Sequence, residues 1–218
     1  MKKRTKIVAT VGPASDSLEM LKKLIKAGVN VFRLNFSHGT HEYHSQTLAR
    51  IRQAEAETGL LVGVLQDISG PKIRISTLEE PFHLKENDVL TFMKAKIIGK
   101  QKSENSYEVS INHPEILDQL KVGDYIYLYD GIIRTKVTSM SKESVSVEVE
   151  NQGVLSSKKG VNFPNTSLGI DVITPKDKID MIWGVENDVD FMAISFVQDA
   201  QDMINARKII TDHGGSFE

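Results

Sequence analysis

Cysteine is absent from the 218 residues, which excludes a disulfide framework, a thiolate nucleophile and any cysteine-based zinc site. A charge excess is absent too. The 27 Lys and Arg stand against 29 Asp and Glu, a formal net charge of −2, so there is no broad electrostatic footprint for nucleic acid or an anionic membrane. No apolar run approaches the roughly 20 residues that span a bilayer. The basic start Met1-Lys2-Lys3-Arg4 would suit a signal peptide, but Thr10 and Gly12-Pro13 cut Ile7-Val8-Ala9 before an apolar core can form. Low-complexity tracts are missing as well. With 40% hydrophobic residues, the expectation is a soluble, cytoplasmic globular chain of one large domain or two ordinary ones.

What is present is a change of rhythm. Lys6 to Val11 reads as a buried strand, closed by Gly12-Pro13. Asp16 and Glu19 read as a capping pair for a helix whose apolar face is Leu18, Leu21, Leu24 and Ile25, with Gly28 at its C-terminal end. Val29–Leu34 predicts a second strand, His41–Thr58 a second helix stopped by Gly59, and Leu60–Leu65 a third strand. Near-continuous apolar strands alternating with helices predict a parallel sheet covered by helices. From Ile75 to Gly160 the period falls to two, as in Val145-Ser146-Val147-Glu148-Val149-Glu150, which predicts an all-β insert, a small antiparallel barrel or sandwich. The βα rhythm then returns. Thr174-Pro175-Lys176-Asp177 is a helix start, Val189–Phe196 a fourth strand, and Asp199 to Thr211 a further helix. The domains are therefore expected as 1–74, an insert over 75–160, and a continuation over 161–218.

Chemistry in parallel α/β folds sits in the loops after the strands. Arg33, at the end of the second strand, either holds a phosphate or carboxylate through paired hydrogen bonds or pairs with a structural acid. Asn35 and Ser37 either offer neutral oxygens to a hard cation or phosphate, or only shape a turn. Asp67-Ile68-Ser69-Gly70-Pro71-Lys72-Ile73-Arg74 places an acid, a Lys and an Arg around a Gly-Pro turn. Lys158 and Lys159 follow the β insert among small residues and can close over phosphate groups. The three loops are expected to face one cleft. His38, His41 and His44 recur every three residues, but only the last two meet helix geometry, so a solvated helix start is favoured over a metal face.

These loops carry a resemblance. The segments Lys6–Ser15, Asn30–His44, Gly70–Arg74, Lys158–Pro164 and Asp190–Val197 resemble, in order, the N-terminal part of pyruvate kinases. The resemblance implies an α/β fold: the first half of a (β/α)8 TIM barrel, interrupted after its third strand by the β insert acting as a mobile lid. It implies transfer of the phosphoryl group of phosphoenolpyruvate to ADP, giving pyruvate and ATP, the last step of glycolysis. Arg33 matches the catalytic, substrate-binding arginine. Asn35, Phe36, Ser37, His38, Arg74 and Lys159 match nucleotide-binding positions, and Asp130 matches an acid of the lid. The family commonly forms homo-tetramers.

Two departures bear on cofactors. Many members bind K⁺ through Asn and Ser of the first loop and through a second loop reading Asp-Thr-Lys-Gly-Pro-Glu. Here Asn35, Ser37 and Asp67 remain, while Ile68, Ser69 and Lys72 replace the Thr, Lys and Glu. The Lys72 ammonium can stand in the electrostatic place of K⁺. The family's Mg²⁺ ligands and electrophilic Lys belong to later strands that this sequence does not reach. The chain is thus expected to be a fragment, inactive by itself; the alternative for it in isolation is a non-catalytic phosphate- or nucleotide-binding module.

Overall fold

The computed structural model describes residues 4–166 and 168–216; Met1-Lys2-Lys3 of the basic start and the terminal Phe217-Glu218 lie outside them. In chain order the elements are β1 (Val8–Thr10), α1 (Leu18–Ala27), β2 (Val31–Asn35), α2 (His41–Thr58), β3 (Gly63–Asp67), β4 (Phe82–Leu84), β5 (Val89–Met93), β6 (Lys100–Ser103), β7 (Ser106–Ser110), a 3-10 helix (Pro114–Gln119), β8 (Tyr125–Leu128), β9 (Ile133–Met140), β10 (Ser144–Val149), β11 (Gly153–Leu155), β12 (Val161–Asn162), α3 (Pro175–Glu186), β13 (Phe191–Ala193) and α4 (Ala200–Asp212). They form two compact units, Met1–Pro71 with Asp171–Glu218, and Lys72–Ile170.

The first unit is α/β. Its sheet has the order β1-β2-β3-β13, every pair parallel. The strands are not apolar on both faces. Phe32, Leu34, Val64 and Gln66 are buried, whereas the alternate Arg33, Asn35, Leu65 and Asp67 are half-buried. The buried face packs against α1 and α2 through Leu21, Ile25, Leu48, Ile51 and Ala54. Helix α2 starts and stops where its sequence signals lie, between Thr40, whose hydroxyl accepts from the Tyr43 amide, and Gly59 at φ 66°. Helix α1 is capped by Ser17 rather than Asp16. Asp16 is already committed, its carboxylate accepting from the Tyr43 hydroxyl at 3.0 Å. Strand β3 begins three residues after the expected Leu60, because the register with β2 starts at Gly63 opposite Val31 and leaves Leu61 91% exposed.

Among its described residues the second unit has nine strands and the 3-10 helix. Seven strands form one sheet, ordered β12-β8-β9-β10-β5-β7-β6, and β4 pairs with β11. The expected antiparallel pairing fails where β5 and β7 run parallel and at the parallel bridge between Leu78 and Gly99. The chain leaves β5, passes to the outer edge as β6, and returns through the β6–β7 hairpin to lie beside β5. The core is drawn from alternate residues, including Ile126, Leu128, Val145, Val147 and Val149. The unit boundaries also differ from 74/75 and 160/161. Arg74 bridges to Gly160 inside the β unit, and β12 pairs with β8 while Phe163 and Leu168 enter the β core.

Candidate functional site

On the first unit, the half-buried face of the sheet brings the strand-end polar residues together. The parallel register sets Thr10 beside Arg33 and Asn35 beside Asp67. The Arg33 guanidinium is held on two sides. Its Nη1 donates to the Thr10 hydroxyl at 2.8 Å, its Nε donates to Asp67 Oδ2 at 2.8 Å, and its Nη2 donates to the same oxygen. Of the two readings open for Arg33, pairing with an acid is therefore part of the answer. Three of its five N–H donors are used, and its side chain keeps 31% of its surface exposed, so two donors remain for an anion.

The loop after β2 is shaped by its own polar groups. Asn35 Oδ1 accepts from the Ser37 amide at 3.0 Å, and the Phe36 amide donates to the Asp67 carbonyl at 2.9 Å, tying this loop to the next. His38 is exposed. Phe36 is only 2% exposed, stacks on the His44 ring at a centroid distance of 4.0 Å, and lends its carbonyl to Lys176. With its amide and carbonyl both bonded and its ring buried, Phe36 anchors the loop. His41 is also structural: its Nε2 lies 2.8 Å from Oδ1 of the buried Asp180, whose other oxygen accepts from Lys176.

The loop after β3 is fixed from α3. Asp177 accepts from the Thr174 amide and hydroxyl through Oδ2 and from the Gly70 amide through Oδ1. Gly70 needs to be glycine, with φ at 64° and the position of a Cβ only 2.6 Å from Phe196. At the positions that the resemblance assigns to a monovalent cation, Asn35 Oδ1 accepts from the Ser37 amide, Asp67 Oδ2 accepts from Arg33, the Ile68 carbonyl accepts from Ser195 Oγ at 2.8 Å, and the Ser37 hydroxyl donates to Ser69 Oγ at 3.4 Å. The Ile68 side chain is 1% exposed in an apolar cluster. This donor set does not fit K⁺. Among the described residues no group of three or more His, Asp or Glu side chains is placed to hold a divalent metal.

On the second unit, Arg74 is exposed and its amide donates to Asn112 Oδ1 at 2.7 Å. It opens onto a cavity of about 710 Å³ that Lys94, Lys96 and Lys158 also line. The Asn112 side-chain amide donates to the Lys72 carbonyl at 2.7 Å. The Lys159 ammonium lies 3.6 Å from the centroid of the Tyr129 ring. Asp130 is exposed in the adjoining turn. The expected residues thus gather as Arg33, Asn35, Ser37, His38 and Asp67 on one unit, and Arg74, Asp130 and Lys159 on the other.

Several contributors were not singled out from sequence. Thr10 and Ser195 lie at or just past the ends of β1 and β13, so the strand-end rule that picked Arg33 would have found them. Asp177 was visible only as a capping residue, and its bond to Gly70 is a tertiary contact. Tyr129 carried no signal of its own.

The sequence matches the family described as "Pyruvate kinase, barrel domain" over residues 2–217. It is 42% identical to a pyruvate kinase of Agrobacterium vitis, over 98% of this chain and 44% of that protein. It is 40% identical to the pyruvate kinase of Geobacillus stearothermophilus, over 98% of this chain and 36% of that protein. The fold superposes on a crystal structure of a pyruvate kinase from Cryptosporidium parvum with a TM-score of 0.86 and 31% identity, covering 95% of this chain and 42% of that one. The chain therefore spans less than half the length of these relatives. A family match that takes in nearly every residue, on a fold superposing this well, makes the chain a member of the pyruvate kinase family.

Proposed function

We propose that this chain carries one side of the substrate cleft of an enzyme that moves the phosphoryl group of phosphoenolpyruvate to ADP, giving pyruvate and ATP in glycolysis. The observation that carries the reading is Arg33, a guanidinium held by Thr10 and Asp67 with two donors left over at the end of a parallel strand. Phosphoryl transfer asks the protein mostly for positioning and charge neutralisation, and a fixed guanidinium supplies both to a phosphate. On the first unit Asn35, Ser37 and His38 are read as nucleotide contacts, and on the second Arg74 and Lys159 are read as ligands of nucleotide phosphates and Asp130 as an acid of the lid. The first unit is read as part of a (β/α)8 TIM barrel and the second as an inserted β-barrel lid whose closure excludes water. The whole enzyme is read as a cytoplasmic homo-tetramer that binds neither nucleic acid nor membrane. Mg²⁺ would be held by groups outside the described residues, and Lys72 takes the electrostatic place of K⁺.

A second reading applies to the chain in isolation: a phosphate- or nucleotide-binding module without turnover. Calorimetric titration with phosphoenolpyruvate, together with an assay of pyruvate formation from phosphoenolpyruvate, ADP and Mg²⁺, tests both. Binding that disappears in Arg33→Gln supports the site. Turnover by the isolated chain at about 1–100 s⁻¹, the usual kinase range, would overturn the non-catalytic reading. Absence of any binding by the wild-type chain would overturn the site itself.

A further inference from the structure

The setting of Lys159 is unusual in its backbone. Tyr129 and Asp130 both have positive φ, at 50° and 56°, and Lys158 has φ 66°. A bulky residue such as Tyr in the left-handed region is a genuine outlier, held there only because its surroundings over-determine it. The surroundings here are hydrogen bonds. The Tyr129 amide donates to the Gly160 carbonyl at 2.9 Å, the Ile132 amide donates to the Tyr129 carbonyl at 3.1 Å, and the Ile75 amide donates to the Lys159 carbonyl at 2.9 Å. The backbone on both sides of the lysine is therefore fixed. The strained turn has one visible product, the Tyr129 ring lying under the Lys159 ammonium at 3.6 Å from its centroid.

Among the described residues Lys159 has no carboxylate partner, although the Asp130 carboxylate lies beside Gly160, 3.5 Å from where a Cβ there would sit. That choice of partner matters for a phosphate ligand. An acid would neutralise the ammonium and would have to be displaced. An aromatic face attracts the cation weakly, leaves its full charge, and competes poorly with phosphate oxygens. Confining a four-carbon side chain before binding also removes part of the ordering cost that the ligand would otherwise meet.

The geometry points to Tyr129 as a positioning residue that pre-orients Lys159 for the phosphates of a nucleoside diphosphate. This rests on the reading of Lys159 as a nucleotide-phosphate ligand. Three variants of the chain separate the two: Lys159→Met, Tyr129→Phe and Tyr129→Asn, the last because Asn tolerates the left-handed backbone without an aromatic ring. The readouts are ADP affinity by calorimetry and the ring-current shift of the Lys159 Hε protons by NMR. Tyr129→Phe keeps both at wild-type values. Tyr129→Asn loses the shift and weakens ADP binding by about two- to fivefold, the worth of an exposed cation–π contact. If Lys159→Met weakens ADP binding while Tyr129→Asn leaves it at the wild-type value, the positioning role is wrong and the phosphate-ligand reading stands. If Lys159→Met itself changes nothing, or wild-type protein binds no ADP, the reading beneath it fails.

Discussion

Arg33 and Asp67 are locked together across two neighbouring parallel strands, with a single Asp67 oxygen accepting from both Nε and Nη2 of the guanidinium. Thr10, from the strand on the other side, takes Nη1 at 2.8 Å. Three strands thus spend their C-terminal polar groups on aiming one cation. The arrangement costs anion-binding capacity, because three donors are consumed, and gains direction for the two that remain.

Arg33→Lys tests whether direction or charge is what counts. A lysine keeps the charge and can still pair with Asp67, but one ammonium cannot serve Thr10 and Asp67 while offering two parallel donors. Loss of the charge-assisted pair is worth about 1.5–3 kcal/mol, so phosphoenolpyruvate affinity should fall roughly 10- to 150-fold. Titration of both proteins checks it. Equal affinities would mean that the site reads charge alone.

Asp177 joins the start of α3 to the loop after β3, and truncating it should cost more than truncating the cap it serves. Thr174→Ala removes an N-cap hydroxyl, worth about 1 kcal/mol. Asp177→Ala strands the amides of Thr174 and Gly70 next to a residue that is fully buried, and each orphaned buried donor costs about 1–3 kcal/mol. Urea unfolding should therefore rank Asp177→Ala below Thr174→Ala by at least about 1 kcal/mol. The reverse order would show that the Gly70 contact contributes nothing.

Gly184, in the last turn of α3, should resist replacement by alanine despite the better helix propensity of Ala. A Cβ there would sit 2.0 Å from Gln66 Oε1 and 3.0 Å from the Met192 methyl. Gln66 is fully buried and its Nε2 is tied to the Asp180 carbonyl at 2.6 Å, so it cannot swing aside cheaply. Overpacking of about 1–3 kcal/mol outweighs the ~1 kcal/mol gained in propensity. A Gly184→Ala protein with an unchanged or raised urea midpoint would contradict this.

The legible parts of the fold were those set by local chemistry. Helix α2 covers His41–Thr58 and stops at Gly59 as read, because a helix end is decided by residues within one turn. Strand limits were less legible: Leu60 and Leu61 are as apolar as the strand that follows, and only the register opposite Val31 excludes them. The parallel β5–β7 pair was hidden for the same reason, since pairing across a hairpin is a tertiary choice. Strand-end position singled out Arg33, Asn35 and Asp67, which the strand register sets side by side. It gave no sign that the Phe36 ring packs against His44 and Trp183. The Tyr129–Lys159 contact depends on a left-handed turn that no periodicity announces.

Lys72 carries a prediction about ions. Since the oxygens of Asn35, Asp67 and Ile68 are already bonded within the protein, the active enzyme should work at full rate in K⁺-free buffer. Lys72→Glu should lower that rate, and KCl should not restore it, because those oxygens stay bonded to protein donors. A many-fold rise of the wild-type rate on adding KCl would dispose of the substitution of lysine for the ion.

His44 should make the chain lose stability on mild acidification. Its Nε2 donates to the His38 carbonyl at 2.9 Å, and its Nδ1 is buried without a partner. Burial holds its pKa below the ordinary 6.5, outweighing the opposite pull of the His38 carbonyl and of Asp180. The unfolded chain therefore takes up this proton first. The contribution of neutral His44 is complete above about pH 6.5 and is lost as pH falls from there through the depressed folded value, at no more than about 1.4 kcal/mol per pH unit. His44→Phe keeps the stack on Phe36 and removes the titration. Urea unfolding at pH 8, 7, 6 and 5 should give a wild-type curve that falls more steeply below pH 7 than that of His44→Phe, with the other titrating groups cancelling in the difference. Parallel curves would mean that His44 takes up its proton in the folded state as readily as in the unfolded one.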